Sequence, residues 1–139
     1  MTVYLDASVL VSMFLADPNS QRALRLAERR PTITFSLWTI AEFSSALGVR
    51  SRMGLLDPDE RRSLEAMLDQ WLASSGAPVA PLAEDFQTAR HLLRQSRSNL
   101  RAPDALHLAV CARIGADLAS FDQKMLQAAA EVELSIAEA

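Results

Sequence analysis

The sequence predicts an α/β fold: one three-layer α/β/α domain with a mostly parallel central sheet, spanning residues 1–139. Short β-branched and apolar runs alternate with helical patterns along the chain, as βαβ units require. Prolines and small polar residues separate those runs at short intervals. Isolated acids stand at or near the ends of the strand-like runs, where open parallel sheets collect their ligands.

The elements follow in order. Val3–Leu5 reads as a strand, and ASVLVSMFL after Asp6 begins a helix with Ser8 near its cap. Asp17, Pro18 and Asn19 form a turn, and a polar-faced helix from Gln21 to Arg30 ends before Pro31. Thr32–Phe35 is β-branched and aromatic, and Ser36 then caps a helix from Leu37 to about Arg52, which places Glu42 inside that helix. Asp57 and Pro58 open the next helix, where Leu64, Met67, Leu68, Trp71 and Leu72 repeat at helical spacing, so Trp71 is read as packing.

Pro78–Leu82 is a weak strand, followed by a helix with Phe86, Ala89, Leu92 and Leu93 inward and Arg90, Arg94 and Arg97 outward. Pro103 suits the start of a helix running to about Ile114, apolar nearly all round and therefore central. Leu118–Phe121 reads as a buried strand, Gln123–Ala130 as a short helix and Val132–Ile136 as a last strand.

Composition narrows the function classes. A chain of 139 residues that is 50% hydrophobic can bury a substantial core. The single cysteine, Cys111, excludes an internal disulfide and a cysteine-rich zinc site and fits a reducing cytoplasm. No apolar run approaches the roughly 20 residues that a membrane helix needs. With no signal-peptide pattern at the N-terminus either, the expectation is a soluble cytoplasmic protein. A net charge of −3 argues against an overall basic surface but leaves room for a local basic patch, and Lys124 is the only lysine among 14 basic residues.

Four acids stand out because their surroundings read as core. Asp6 is the only charged residue in MTVYLDASVLVSMFLA, Glu42 the only one in PTITFSLWTIAEFSSALGV, Asp104 the only one in APDALHLAVCA if His107 is neutral, and Asp122 follows the run DLASF. A buried carboxylate requires a partner charge, hydrogen bonds or a metal ion, and no basic residue is close in sequence to Asp6 or Glu42. The predicted topology brings the acids toward one sheet edge. Oxygen-only donors suit Mg²⁺ or Mn²⁺, and crowding them together raises at least one of their pKa values.

Each assignment has an ordinary structural alternative. Asp6 could cap a strand end, Asp104 could favour a helix start, Glu42 could be a plain helix glutamate, and Asp122 could cap the following helix with Asp117 as its substitute. Ser8 is open between a helix cap and a contact to metal-held water or phosphate. His107, one turn beyond Asp104, is open between a ligand or base and a structurally satisfied buried histidine, while His91 is read as surface. Arg90, Arg94, Arg97 and Arg101 either guide an RNA backbone or form a solvated face. Trp38 and Phe43 are read as core rather than as base-stacking platforms.

The segments VYLDASVLV, WTIAEFSSAL, LRAPDALHLA and LASFDQKML, in this order and spacing, resemble the four acidic motifs of PIN-domain ribonucleases, and the third is most similar to VapC-type toxins of bacterial toxin–antitoxin pairs. The resemblance covers nearly the whole chain. It implies a PIN-like fold and a divalent-metal-dependent endoribonuclease using Mg²⁺ or Mn²⁺. Asp6, Asp104 and Asp122 are then direct ligands, Glu42 is a ligand or an orienter of water, and the products carry a 5′-phosphate and a 3′-hydroxyl. It also implies an RNA substrate, a cognate antitoxin protein and a homodimer.

Two other classes compete. A phosphohydrolase with an aspartyl nucleophile would carry a second aspartate where this chain has Ser8. A noncatalytic PIN-like module that binds RNA or protein is the main alternative.

Overall fold

The structure, a computed structural model, describes residues 1–138. Three strands form its sheet: β1 (Thr2–Leu5), β2 (Thr32–Thr34) and β3 (Asp117–Ala119), in the order β2-β1-β3. Both pairings are parallel, with Val3 opposite Ile33 on one side and Asp117 on the other. Seven helices surround it: α1 (Ala7–Phe14), α2 (Ser20–Glu28), α3 (Leu37–Arg52), α4 (Pro58–Ser75), α5 (Ala83–Gln95), α6 (Ala102–Ile114) and α7 (Gln123–Glu131). None of the described helices is long and apolar enough to cross a membrane.

The layers follow from the alternation of side chains along β1. Val3 and Leu5 enter one core with Val9 and Leu10 of α1, Leu26 of α2, Phe43 and Leu47 of α3 and Leu68 of α4. Tyr4 enters the opposite core with Leu108, Val110 and Cys111 of α6, Leu118 of β3 and Met125 of α7. A parallel sheet covered on both faces is the expected three-layer arrangement of the PIN fold.

Helix starts follow local chemistry. Ser36 and Thr39 form a reciprocal capping box at α3, and Asp57 accepts from the Glu60 amide with Pro58 behind it at α4. Gly115 adopts φ 67° and closes α6 in the left-handed region. Trp71 packs against Phe14 and Phe35, with ring centroids 5.9 and 5.0 Å away, and Phe43 is fully buried, so both are packing residues as expected.

Several expectations are corrected. The two outer strands shrink to single parallel bridges, Ser36 to Val79 and Leu118 to Ile136. Pro78 and Pro81 lack the amides a longer ladder needs, and Glu133 takes a positive φ of 56° just before the last segment. α5 is rotated from the expected face: Asp85 and Ala89 point inward while Phe86 is 57% exposed, and Arg97 lies beyond the helix end. The reason is a buried ion pair, since the Asp85 carboxylate receives the Arg113 guanidinium through Nε at 2.8 Å and Nη2 at 3.0 Å. Met67 points outward, and Leu68 takes the buried position beside it. The cap of α1 is Asp6, not Ser8.

Candidate active site at the carboxyl edge of the sheet

Asp6 follows β1 directly, and its amide donates to the Ala119 carbonyl at 3.2 Å, which locks the ends of β1 and β3 together. Its carboxylate is 2% exposed. Oδ1 accepts from Ser8 Oγ at 2.6 Å and from the Val9 amide at 3.1 Å, and Oδ2 accepts from Ser120 Oγ. Burial still pushes the Asp6 pKa up, against the lowering effect of the two serines, His107 and the Val9 amide. Ser8 also accepts from the Phe121 amide at 3.0 Å, and Ser120 from the Asp122 amide at 3.0 Å. These serines therefore tie the β1 end to the β3 end.

Asp122 caps α7, accepting from the amides of Lys124 at 2.9 Å and Met125 at 3.4 Å. Asp117, its possible substitute, begins β3 and so sits at the other end of that strand from Ser120 and Asp122. Asp104 lies in the first turn of α6 and is 7% exposed. Its pKa is raised, first by burial, then by the negative charges of Asp122 and Glu42, while Arg101 and His107 act in the opposite direction. Among the described residues no hydrogen bond or ion pair reaches the Asp104 carboxylate.

Glu42 comes from the second turn of α3, and its Oε1 is bonded to His107 Nε2. The other ring nitrogen, Nδ1, is 2.7 Å from the Tyr4 hydroxyl, which is 2.8 Å from Ser36 Oγ. Burial pushes the Tyr4 phenol well above the ordinary tyrosine range, so it remains a hydroxyl. His107 thus has both nitrogens satisfied, which is the structural alternative weighed for it.

A cavity of about 480 Å³ opens beside these groups, lined by Ser8, Glu42 and Asp122 together with Ser12, Asp17 and Arg50. Arg50 stands two helical turns after Glu42 on α3, a spacing that puts both on one face. Arg22 lies over the Phe121 ring, 4.6 Å from its centroid. By contrast Arg90 borders a separate apolar groove with Leu37 and Trp38, and Arg97 borders another cavity beside Glu131. Trp38 donates its indole N–H to the Pro103 carbonyl at 3.3 Å. His91 is exposed, as expected.

The four predicted acids are neighbours rather than a closed cage. Asp104 faces the charges of Asp122 and Glu42, yet among the described residues no three His, Cys, Asp or Glu side chains converge tightly enough to enclose an ion. Asp6, Glu42 and Asp122 each have their own hydrogen-bond donors. The donor chemistry fits a hard divalent cation, because every candidate ligand is a carboxylate oxygen and the acid with no donor of its own carries two like charges beside it. Sequence reasoning missed Ser120, Tyr4, Thr39 and Arg50. Ser120 alone carried a local signal, standing two residues before Asp122 in ASFD.

Solved structures share this architecture. VapC20 of Mycobacterium tuberculosis, described as a sarcin-ricin loop cleaving toxin, superposes with a TM-score of 0.76 at 18% identity, covering 99% of each chain. FitAcB of Neisseria gonorrhoeae gives 0.70 at 18% identity, over 96% of this chain and 95% of that one. VapBC2 of Rickettsia felis, solved with a DNA fragment from its promoter, gives 0.66 at 19% identity over 91% and 92%. At these identities the likeness establishes the fold. No match was found among curated proteins. The sequence pattern itself goes further than the superpositions, because the PIN domain family matches residues 3–131, from within β1 to the end of α7, and the chain belongs to that family.

Proposed function

We propose that this chain is a divalent-metal-dependent endoribonuclease, a single PIN domain that cleaves RNA phosphodiester bonds as the toxin of a type II toxin–antitoxin pair. The observation that carries the reading is Asp104: buried, without a donor of its own, and raised in pKa by burial and by the charges of Asp122 and Glu42 beside it. Such a group is disfavoured in a merely structural role and favoured where a cation is to be held.

Asp6, Asp104 and Asp122 are the residues that would hold Mg²⁺ or Mn²⁺, with Glu42 completing the set or orienting the attacking water. When bound, such an ion supplies positive charge that polarises a phosphoryl oxygen and makes water more acidic. Ser8, Ser120 and the Val9 amide hold the Asp6 carboxylate in one orientation, so one donor is preorganised. Arg50, on the wall of the same cavity, supplies a guanidinium suited to an RNA phosphate. In-line attack on the phosphorus then leaves a 5′-phosphate and a 3′-hydroxyl.

The likeness to VapC20, described as a toxin, supports a cognate antitoxin as partner. In the same reading the chain forms a homodimer and works in the cytoplasm. The test is cleavage of a small-RNA pool by wild type and Asp104→Asn, with Mn²⁺ or Mg²⁺ and with chelator, followed by sequencing of the new ends. Discrete metal-dependent cuts by wild type alone are expected. RNA binding without cleavage, unaffected by Asp6→Asn, would move the assignment to the noncatalytic module.

A further inference from the structure

Glu42 is the end of a hydrogen-bonded line that begins and finishes on the same helix. Ser36, the cap of α3, reaches Tyr4 of β1 at 2.8 Å; Tyr4 reaches His107 of α6 at 2.7 Å; and His107 returns to Glu42, six residues after Ser36 on α3. Ser36, Tyr4 and Thr39 are fully buried and His107 is 1% exposed, whereas the Glu42 side chain is 29% exposed. The line therefore has a fixed interior and one end that meets the cavity.

The donors can be assigned in order. An ionised Glu42 only accepts, so His107 Nε2 carries the hydrogen between them. The hydroxyl of Thr39 is directed to the Leu5 carbonyl at 3.0 Å, and the Thr39 amide already donates to Ser36 Oγ at 3.2 Å. The Ser36 hydroxyl is then free to donate to the Tyr4 oxygen, and the Tyr4 hydroxyl to donate to Nδ1. The opposite order would send the Ser36 hydrogen to Thr39 Oγ1 at 3.3 Å, a longer contact than its 2.8 Å approach to Tyr4. Each donor thus fixes the next, and none of the buried side-chain atoms is left without a partner among the described residues.

We infer that Tyr4 and His107 are positioning residues for Glu42: Tyr4 anchors the imidazole through Nδ1, and the Nε2–H orients the Glu42 carboxylate toward the cavity. The inference rests on the reading of Glu42 as part of the metal and water site. A tautomer set by a second hydrogen bond is the usual way a protein orients a functional group through histidine. Deleting the Tyr4 hydroxyl removes the donor seen at Nδ1 among the described residues, so the ring loses the contact that holds its Nε2–H on the carboxylate.

The two ring nitrogens can be separated by substitution. A glutamine amide occupies the place of Nε2 and keeps the donor to Glu42, whereas an asparagine amide occupies the place of Nδ1 and keeps only the Tyr4 contact. Long-range nitrogen–proton correlation spectra of the metal-free protein report the tautomer, with His107→Gln assigning its signals apart from His91. The expected wild-type spectrum places a hydrogen on Nε2. A ring with no hydrogen on Nε2 overturns the inference.

In Tyr4→Phe, with folding checked by its melting curve, Mn²⁺ affinity, read by calorimetry, should fall about tenfold. His107→Gln should bind Mn²⁺ more tightly than His107→Asn. An unchanged affinity in Tyr4→Phe, or the reverse order of the two histidine variants, also overturns it. If wild type binds no Mn²⁺, the nuclease reading fails while the spectra still decide whether Nε2 carries the hydrogen directed at Glu42.

Discussion

The two ends of α6 treat buried carboxylates in opposite ways. At its C-terminal end Arg113 forks onto Asp85, which is 2% exposed. Burial alone would raise the Asp85 pKa, but the Arg113 guanidinium and the Leu82 amide outweigh it and hold the carboxyl below the usual aspartate range. At its N-terminal end Asp104 is also buried, and there the neighbours are Asp122 and Glu42, so its pKa goes up. The helix dipole favours both placements, an acid at the start and an arginine at the end. The difference lies in the compensating charge: an arginine fork supplies it at one end, and the proposed function assigns it to a bound cation at the other.

The largest expected difference between the two ends is catalytic. Asp104→Asn should lower metal-dependent cleavage by at least about a hundredfold, since loss of even a supporting residue around a metal costs about 10–100-fold. Arg113→Ala should leave cleavage per folded molecule near wild type. Single-turnover rates at a temperature where both variants are folded measure this, and equal losses would erase the distinction.

Ligand linkage comes next. Mn²⁺ at a hundred times its dissociation constant should stabilise wild type by about 2.7 kcal/mol, and the gain should vanish in Asp104→Asn. Melting curves with and without Mn²⁺ read this out, and an unshifted wild-type curve at saturating metal counts against the site. A smaller effect belongs to the other end. Arg113→Ala leaves Asp85 buried without its partner and should cost about 1–3 kcal/mol in denaturant unfolding, at the modest end because Arg113 itself is partly exposed.

The pH dependence is smaller still. Because the folded pKa of Asp85 lies below its ordinary value of 3.8, its contribution is fully present above that value and is lost as pH falls through the folded pKa. Wild type should therefore lose this contribution in the acid range below the ordinary aspartate value, and Arg113→Ala should show a flatter profile there. In metal-free protein Asp104→Asn should melt no lower than wild type, because the substitution relieves burial and like-charge repulsion together.

Much of this contrast was legible in the chain, though unevenly. Asp104 was visible because it is alone among apolar residues, and α3 was readable to its ends because Ser36 signals a cap. Asp85 was not visible: in AEDFQTAR it looks like an ordinary acid in a helix's first turn, and Phe86 beside it is the more persuasive core residue. Only Arg113, 28 positions later, reverses that reading. The arginines near Asp104 in sequence were plausible RNA contacts, yet Arg90 and Arg97 border other surfaces, and it is Arg50 that lines the cavity.

The sequence by itself determined the order of strands and helices, the burial of Asp6 and Asp104 and the ordered motifs of the PIN family. Those properties are local, since a cap, a hydrophobic period or a lone acid in an apolar run is complete within about a dozen residues. Tertiary structure decided which donors each acid receives. Ser120 reaches Asp6 across 114 positions, and His107 reaches Glu42 across 65. A hydrogen bond depends on a separation of about 3 Å and on direction. Chain spacing does not encode either quantity; only the packing of α3 and α6 against the ends of β1 and β3 does.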